Sequence, residues 1–137
     1  MIKSLSKKLA AAAAAVVVAA AAAAAATSLF TDTVTGVVNP PPGERRCIDL
    51  PTRAMTNASV TDFVMSGHKV KFVFLGKPDG ASEFIEIGNS GPDPVSSYAR
   101  MITAQTHPSF FPGVFRTCAR NPSDKPSTDS LTITVDK

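Results

Sequence analysis

Lys69-Val70-Lys71-Phe72-Val73-Phe74-Leu75, then Gly76-Lys77-Pro78-Asp79-Gly80-Ala81, then Glu83-Phe84-Ile85-Glu86-Ile87-Gly88 is the stretch from which the fold can be read. Two β-prone runs flank a Pro-Asp-Gly turn, which is the pattern of a β-hairpin. In the first run Val70, Phe72 and Phe74 share one face, while Lys69, Lys71, Val73 and Leu75 share the other. A strand of this kind buries its phenylalanine side.

Working outward, the same alternation closes the chain. Leu131, Ile133 and Val135 fall on one side of a final strand, with Ser130, Thr132, Thr134 and Asp136 on the other. The pattern predicts that this strand pairs with the Cys118 segment across the polar loop 121–129. Weaker strands are predicted at Cys47–Leu50, Val60–Met65 and Val114–Arg120. Residues 27–43 read as an N-terminal edge strand or Thr/Pro-rich tether, ending in the stiff Pro40-Pro41-Pro42-Gly43. Residues 97–105 fit either a helix capped by Ser96 or Ser97 or a strand, and the alternation of Tyr98, Arg100 and Ile102 favours the strand. All 11 prolines lie beyond residue 39, which leaves little room for long helices. The expected class is mainly β: a single small antiparallel β-sandwich over residues 44–137.

Cys47 and Cys118 are the only cysteines and are predicted to form a disulfide. Parity places Cys118 on the face of Arg116 and Arg120, and Cys47 on the face of Arg45 and Asp49. The bridge is therefore expected at a sheet edge or outer face. The run Gly113-Val114-Phe115-Arg116-Thr117-Cys118-Ala119-Arg120, with Ser130-Leu131-Thr132-Ile133-Thr134-Val135, resembles the last two strands of an immunoglobulin-type sandwich. That family's tryptophan is absent, and Arg116 stands where it places its corner tyrosine. The resemblance is architectural and implies no binding residue.

At the other end of the chain, Lys3, Lys7 and Lys8 precede Leu9–Ala26, a run made of one leucine, three valines and alanines only. Residues 1–26 read as an Ala-rich signal helix, or an uncleaved anchor. The leader holds three of the 14 Lys+Arg and none of the 11 Asp+Glu, so the remainder carries no net formal charge. Net charge thus gives no support for a nucleic-acid partner, and contact with a membrane is expected only through the N-terminal segment. The expected location is secreted, or periplasmic and cell envelope.

The densest candidate contact surface is His107-Pro108-Ser109-Phe110-Phe111-Pro112-Gly113-Val114-Phe115. His107, Phe110, Phe111 and Phe115 either anchor a partner or plug the open end of the sandwich. His68 and His107 lack a neighbouring nucleophile motif or metal-ligand spacing, so no catalytic residue, metal or cofactor is expected. The Asn89–Pro94 loop lacks the spaced acids of a calcium site. Asn57-Ala58-Ser59 is a candidate glycosylation site. The function these features predict is a non-enzymatic interaction module for a protein or cell-surface ligand. It would use the phenylalanine segment with the Asn89–Val95 loop. The alternatives are a secreted hydrolase inhibitor, presenting Thr52-Arg53-Ala54 or Asn89–Val95, and an envelope subunit anchored by its N-terminal helix.

Overall fold

A computed structural model describes residues 31–137. The signal segment 1–26 and the first four residues of segment 27–43 lie outside the described residues. Eight strands follow in order: β1 Thr31–Val38, β2 Arg45–Ala54, β3 Asn57–Ser66, β4 Lys71–Pro78, β5 Ile85–Asn89, β6 Ser97–Thr103, β7 Gly113–Arg120 and β8 Thr128–Asp136. A short 3-10 turn, Pro108–Phe110, precedes β7. Among the described residues no helix is long and apolar enough to cross a membrane.

The strands form two four-stranded sheets, ordered β1-β8-β3-β6 and β2-β7-β4-β5. This is the strand order of a double-sheet jelly roll. The two sheets share a core: Ala58, Val60, Ile102, Ile133 and Val135 from the first meet Leu50, Phe74 and Phe115 from the second. The inward residues are the ones the alternation marks. Val70, Phe72 and Phe74 are fully buried, and so, to within a percent, are Leu131, Ile133 and Val135.

The predicted hairpin is β4 and β5, with Gly76 opposite Ile85 and Leu75 opposite Glu86. Gly80, at φ +87°, supplies the left-handed residue its turn needs. Residues 97–103 are a strand, with Val60 opposite Arg100. The Thr/Val run supplies the edge strand β1, whose Thr33 and Thr35 hydroxyls meet those of Thr134 and Thr132 at 3.0 and 2.9 Å.

One pairing is corrected. β8 does not pair with the Cys118 strand; it lies between β1 and β3 in the other sheet. Both hydrogen-bonding edges of β7 are already taken, by β2 and β4. The segment 121–127 therefore carries the chain across to the opposite sheet. This also separates the two strands on which the immunoglobulin resemblance rested.

Candidate functional site

The disulfide Cys47–Cys118 joins directly opposed residues of β2 and β7, with α-carbons 4.0 Å apart. It lies within one sheet, on the face shared with Asp49 and Arg116, as parity requires. There Arg116 grips Asp49 through two hydrogen bonds of 2.6 and 2.9 Å and stacks 4.0 Å over the Phe84 ring. The inward face of the same strands carries Leu50, Phe115, Thr117 and Ala119.

Strand direction sorts the loops into two ends. The turn 55–56 and the loops 79–84 and 104–112 gather at one end; loops 39–44, 67–70, 90–96 and 121–127 gather at the other. The phenylalanine segment and the Asn89–Val95 loop therefore stand at opposite ends of β6 and cannot form one surface, contrary to the sequence expectation. Alternation gives strand faces but not strand order, so their separation was not legible.

At the first end Phe115 is wholly buried and packs against Phe74 and Phe111, with ring centroids 5.7 and 5.4 Å away. Phe110 and Phe111 are half-buried against the core. Phe110 reaches it because Gly76 has no side chain: a β-carbon there would lie 2.8 Å from the Phe110 ring. His107 is half-buried, its Nδ1 3.0 Å from the Thr106 hydroxyl and its ring 6.4 Å from that of Phe110. Phe115 therefore cannot contact a partner, and the segment has the geometry of a core plug. Thr52-Arg53-Ala54 is no free loop either. It is the end of β2, with Ala54 buried, Arg53 paired to Asp79 and the Thr52 hydroxyl donating to Asp32. Asn57 opens β3, and its amide nitrogen, which a glycan would occupy, donates to Asp136 at 2.5 Å.

The second end holds a concave site. Gly67, His68 and Lys69 from one loop, Pro94 from another, and Pro122 and Ser123 from a third line a cleft of about 560 Å³. Asn121 fixes one of its walls, through Ser123. Buried, it donates through Nδ2 to the carbonyls of Pro40 (3.0 Å) and Lys125 (2.6 Å), and its Oδ1 accepts from the backbone and hydroxyl of Ser123 at 2.9 and 2.7 Å. Its backbone bonds Gly43 and Glu44 at 2.8 and 3.0 Å. Loop 39–44 is thereby tied to loop 121–127. Gly67 packs so tightly that a β-carbon would sit 2.9 Å from the Pro126 carbonyl oxygen, and its φ of +95° excludes most other residues. Pro94 and Pro122 stiffen two of the three walls. In the sequence, Asn121-Pro122-Ser123 registers only as a blocked sequon, and nothing marks its role.

Below this end, two acids are buried. Asp62 of β3 is 1% exposed and accepts from the Thr117 hydroxyl of β7 at 2.5 Å, linking the two sheets. Burial pushes its carboxyl up to about 7, against the opposing hydrogen bonds from Thr117 and Thr132. Asp129 is also raised by burial, although it accepts from Ser127 at 3.0 Å. Each is thus paired with a buried hydroxyl, that of Thr117 or Ser127. Among the described residues no group of three or more His, Cys, Asp or Glu could hold a metal ion.

Fold and site together define a disulfide-braced, mainly β module with an open cleft at one loop end. No protein-family model matches the chain, and no curated protein matches it in sequence. Among solved structures the chain is similar to a mitogen derived from Yersinia pseudotuberculosis, with 14% identity and a TM-score of 0.55, over 77% of this chain and 87% of that one. A protein of the disulfide-linked pili of Bacillus endospore appendages aligns with 10% identity and a TM-score of 0.44, over 78% and 88%. The likeness to the mitogen is one of fold. Together with the disulfide, it is compatible with an extracellular β-fold module.

Proposed function

We propose that this protein is an exported, non-enzymatic binding module: a jelly-roll sandwich that recognises an extracellular or cell-envelope ligand through the loop end formed by 39–44, 67–70, 90–96 and 121–127. One observation carries the reading: an open cleft lined by three loops, through Gly67, His68 and Lys69, through Pro94, and through Pro122 and Ser123, the last held by the buried Asn121. Rigid strands hold the loops, so little ordering entropy remains to be lost on binding. The phenylalanine end contributes stability instead, since its rings complete the core. In the hydrolase-inhibitor reading Thr52-Arg53-Ala54 is paired strand, which leaves Asn89–Val95 as its candidate loop.

The test fills the cleft. Labelled protein is applied to the exterior of intact cells of the source organism, and Ser123→Trp is compared with Ser109→Trp, which places the same bulk at the opposite end. Binding lost only in the first variant is the expected result. Equal binding by both overturns the assignment of the site. Intact mass of the exported protein tests the leader, since retention of residues 1–26 contradicts a free secreted module.

A further inference from the structure

The outer face of the second sheet carries a row of three cations. Arg45 of β2 stands opposite Arg120 of β7, and Arg120 stands opposite Lys71 of β4. Each is two residues along its strand from the Cys47, Cys118, Val73 row, so all three share the face of the disulfide. Strands lie roughly 4.8 Å apart, and the row therefore spans about 10 Å. Like charges set directly opposite weaken a sheet, so this arrangement costs the fold stability. Nothing on the protein compensates it: among the described residues none of the three side chains has an ion pair or hydrogen bond. The nearest carboxylates along β2 are already held, Glu44 by Arg46 at 2.9 Å and Asp49 by Arg116 at 2.6 Å.

The row runs into the cleft. Lys69, two residues before Lys71 and on the same parity, lines one wall, while Arg120 leads through Asn121 to Pro122 and Ser123 on another. Resting on the binding-module reading and extending it to the ligand's chemistry, we infer that this continuous surface binds an acidic polysaccharide. Its sulfate or carboxylate groups would lie along Arg45, Arg120 and Lys71, with an adjoining sugar unit in the cleft.

The line of charge favours a linear chain, because a single small anion engages at most two of the three cations. Single-stranded nucleic acid needs aromatic platforms for its bases. The ring on this face, Phe84, is covered by the Arg116 guanidinium. An anionic membrane calls for a larger basic cluster and apolar side chains to insert. The exposed Val37, Phe63, Met65 and Met101 belong to the other sheet, and Met55 and Ile85 to the opposite end.

The experiment uses the purified, disulfide-bonded protein with dextran sulfate as probe, and uncharged dextran and an oligothymidylate as comparators. Arg45→Gln, Lys71→Gln and Arg120→Gln are combined in one variant. Arg53→Gln, Lys77→Gln and Lys137→Gln, at the far end, form a control of equal charge change. The row variant should bind dextran sulfate roughly a hundredfold more weakly, at about fivefold for each cation lost near a polyanion. The control should stay within about twofold, being beyond a screening length from the row. The row variant should melt no lower than the parent, which separates lost contacts from lost fold. Equal affinity of the two variants, or tighter binding of oligothymidylate than of dextran sulfate, overturns the inference. Should the row variant keep the cell-surface binding that Ser123→Trp abolishes, the polysaccharide falls and the module stands. Should it lose dextran sulfate while Ser123→Trp still binds cells, the row stands and the cleft assignment falls.

Discussion

Replacing Asp62 with Asn should reverse the effect of alkaline pH on this fold. The folded Asp62 carboxyl holds its proton up to about 7, whereas the unfolded chain releases it near 3.8. Between those values the native state binds more protons, so stability is fully present below 3.8 and falls as pH rises through 7. Each pH unit in that window costs about 1.4 kcal/mol, and the whole window about 4 kcal/mol. That is a large share of the roughly 5–15 kcal/mol expected of a domain this size. Asp129, also raised by burial, slopes the curve in the same direction.

Asparagine keeps the shape and cannot ionise. Its carbonyl oxygen can still accept from the Thr117 hydroxyl, and its amide group must find an acceptor or cost about 1–3 kcal/mol. The penalty is smaller than the 4 kcal/mol it removes, so the sign of the change depends on pH. At pH 4 Asp62→Asn should be slightly less stable than the parent, and at pH 8 more stable. Urea unfolding followed by circular dichroism at pH 4, 5.5, 7 and 8 measures both curves. If the variant is weaker by the same amount at every pH, Asp62 is already ionised at pH 4 and its buried neutral state is wrong.

Three further outcomes follow from packing and connectivity. Cys47→Ser with Cys118→Ser reopens a loop of 71 residues and should cost about 4 kcal/mol by the chain-entropy estimate, read as a lower urea midpoint that added reductant no longer shifts. Phe110→Ser with Phe111→Ser should lower the thermal midpoint, at about 2 kcal/mol or more, because half-buried rings leave the core; an unchanged midpoint would return that segment to the list of contact surfaces. Asn121→Ala removes the side-chain bond from loop 121–127 to the Pro40 carbonyl and the three within 121–127, and should cost about 2–3 kcal/mol while raising hydrogen exchange at Ser123; the backbone bonds to Gly43 and Glu44 remain.

What was legible in the sequence is what a period of two encodes. Val70, Phe72 and Phe74, or Leu131, Ile133 and Val135, declare their buried face without reference to any neighbour. The same parity put the disulfide on an outer face before its partner strand was known, because Arg116 and Arg120 cannot share a core with each other. Strand order is a different kind of information. β7 and β8 are consecutive, turn-separated and both amphipathic, yet β8 lies in the other sheet because β2 and β4 occupy both edges of β7. That occupancy is a property of the whole chain, and no local pattern reports it.

The same limit explains the candidate site. Arg45, Lys71 and Arg120 are separated by 26 and 49 positions and look like ordinary solvated charges. Only the register of three strands lines them up. Asn121 is equally silent, since a buried amide with four side-chain hydrogen bonds is spelled by the same letter as a loop asparagine. Phe110 and Phe111 read equally as a partner anchor or as a plug of the sandwich's open end, and the absence of a side chain at Gly76 is what lets Phe110 sit against the core. Across residues 27–137, which carry no net formal charge, composition hides a local field that topology creates. The cation row and the cleft are therefore the places where function should be sought first, because there the fold tolerates like-charge repulsion that its own carboxylates could have neutralised.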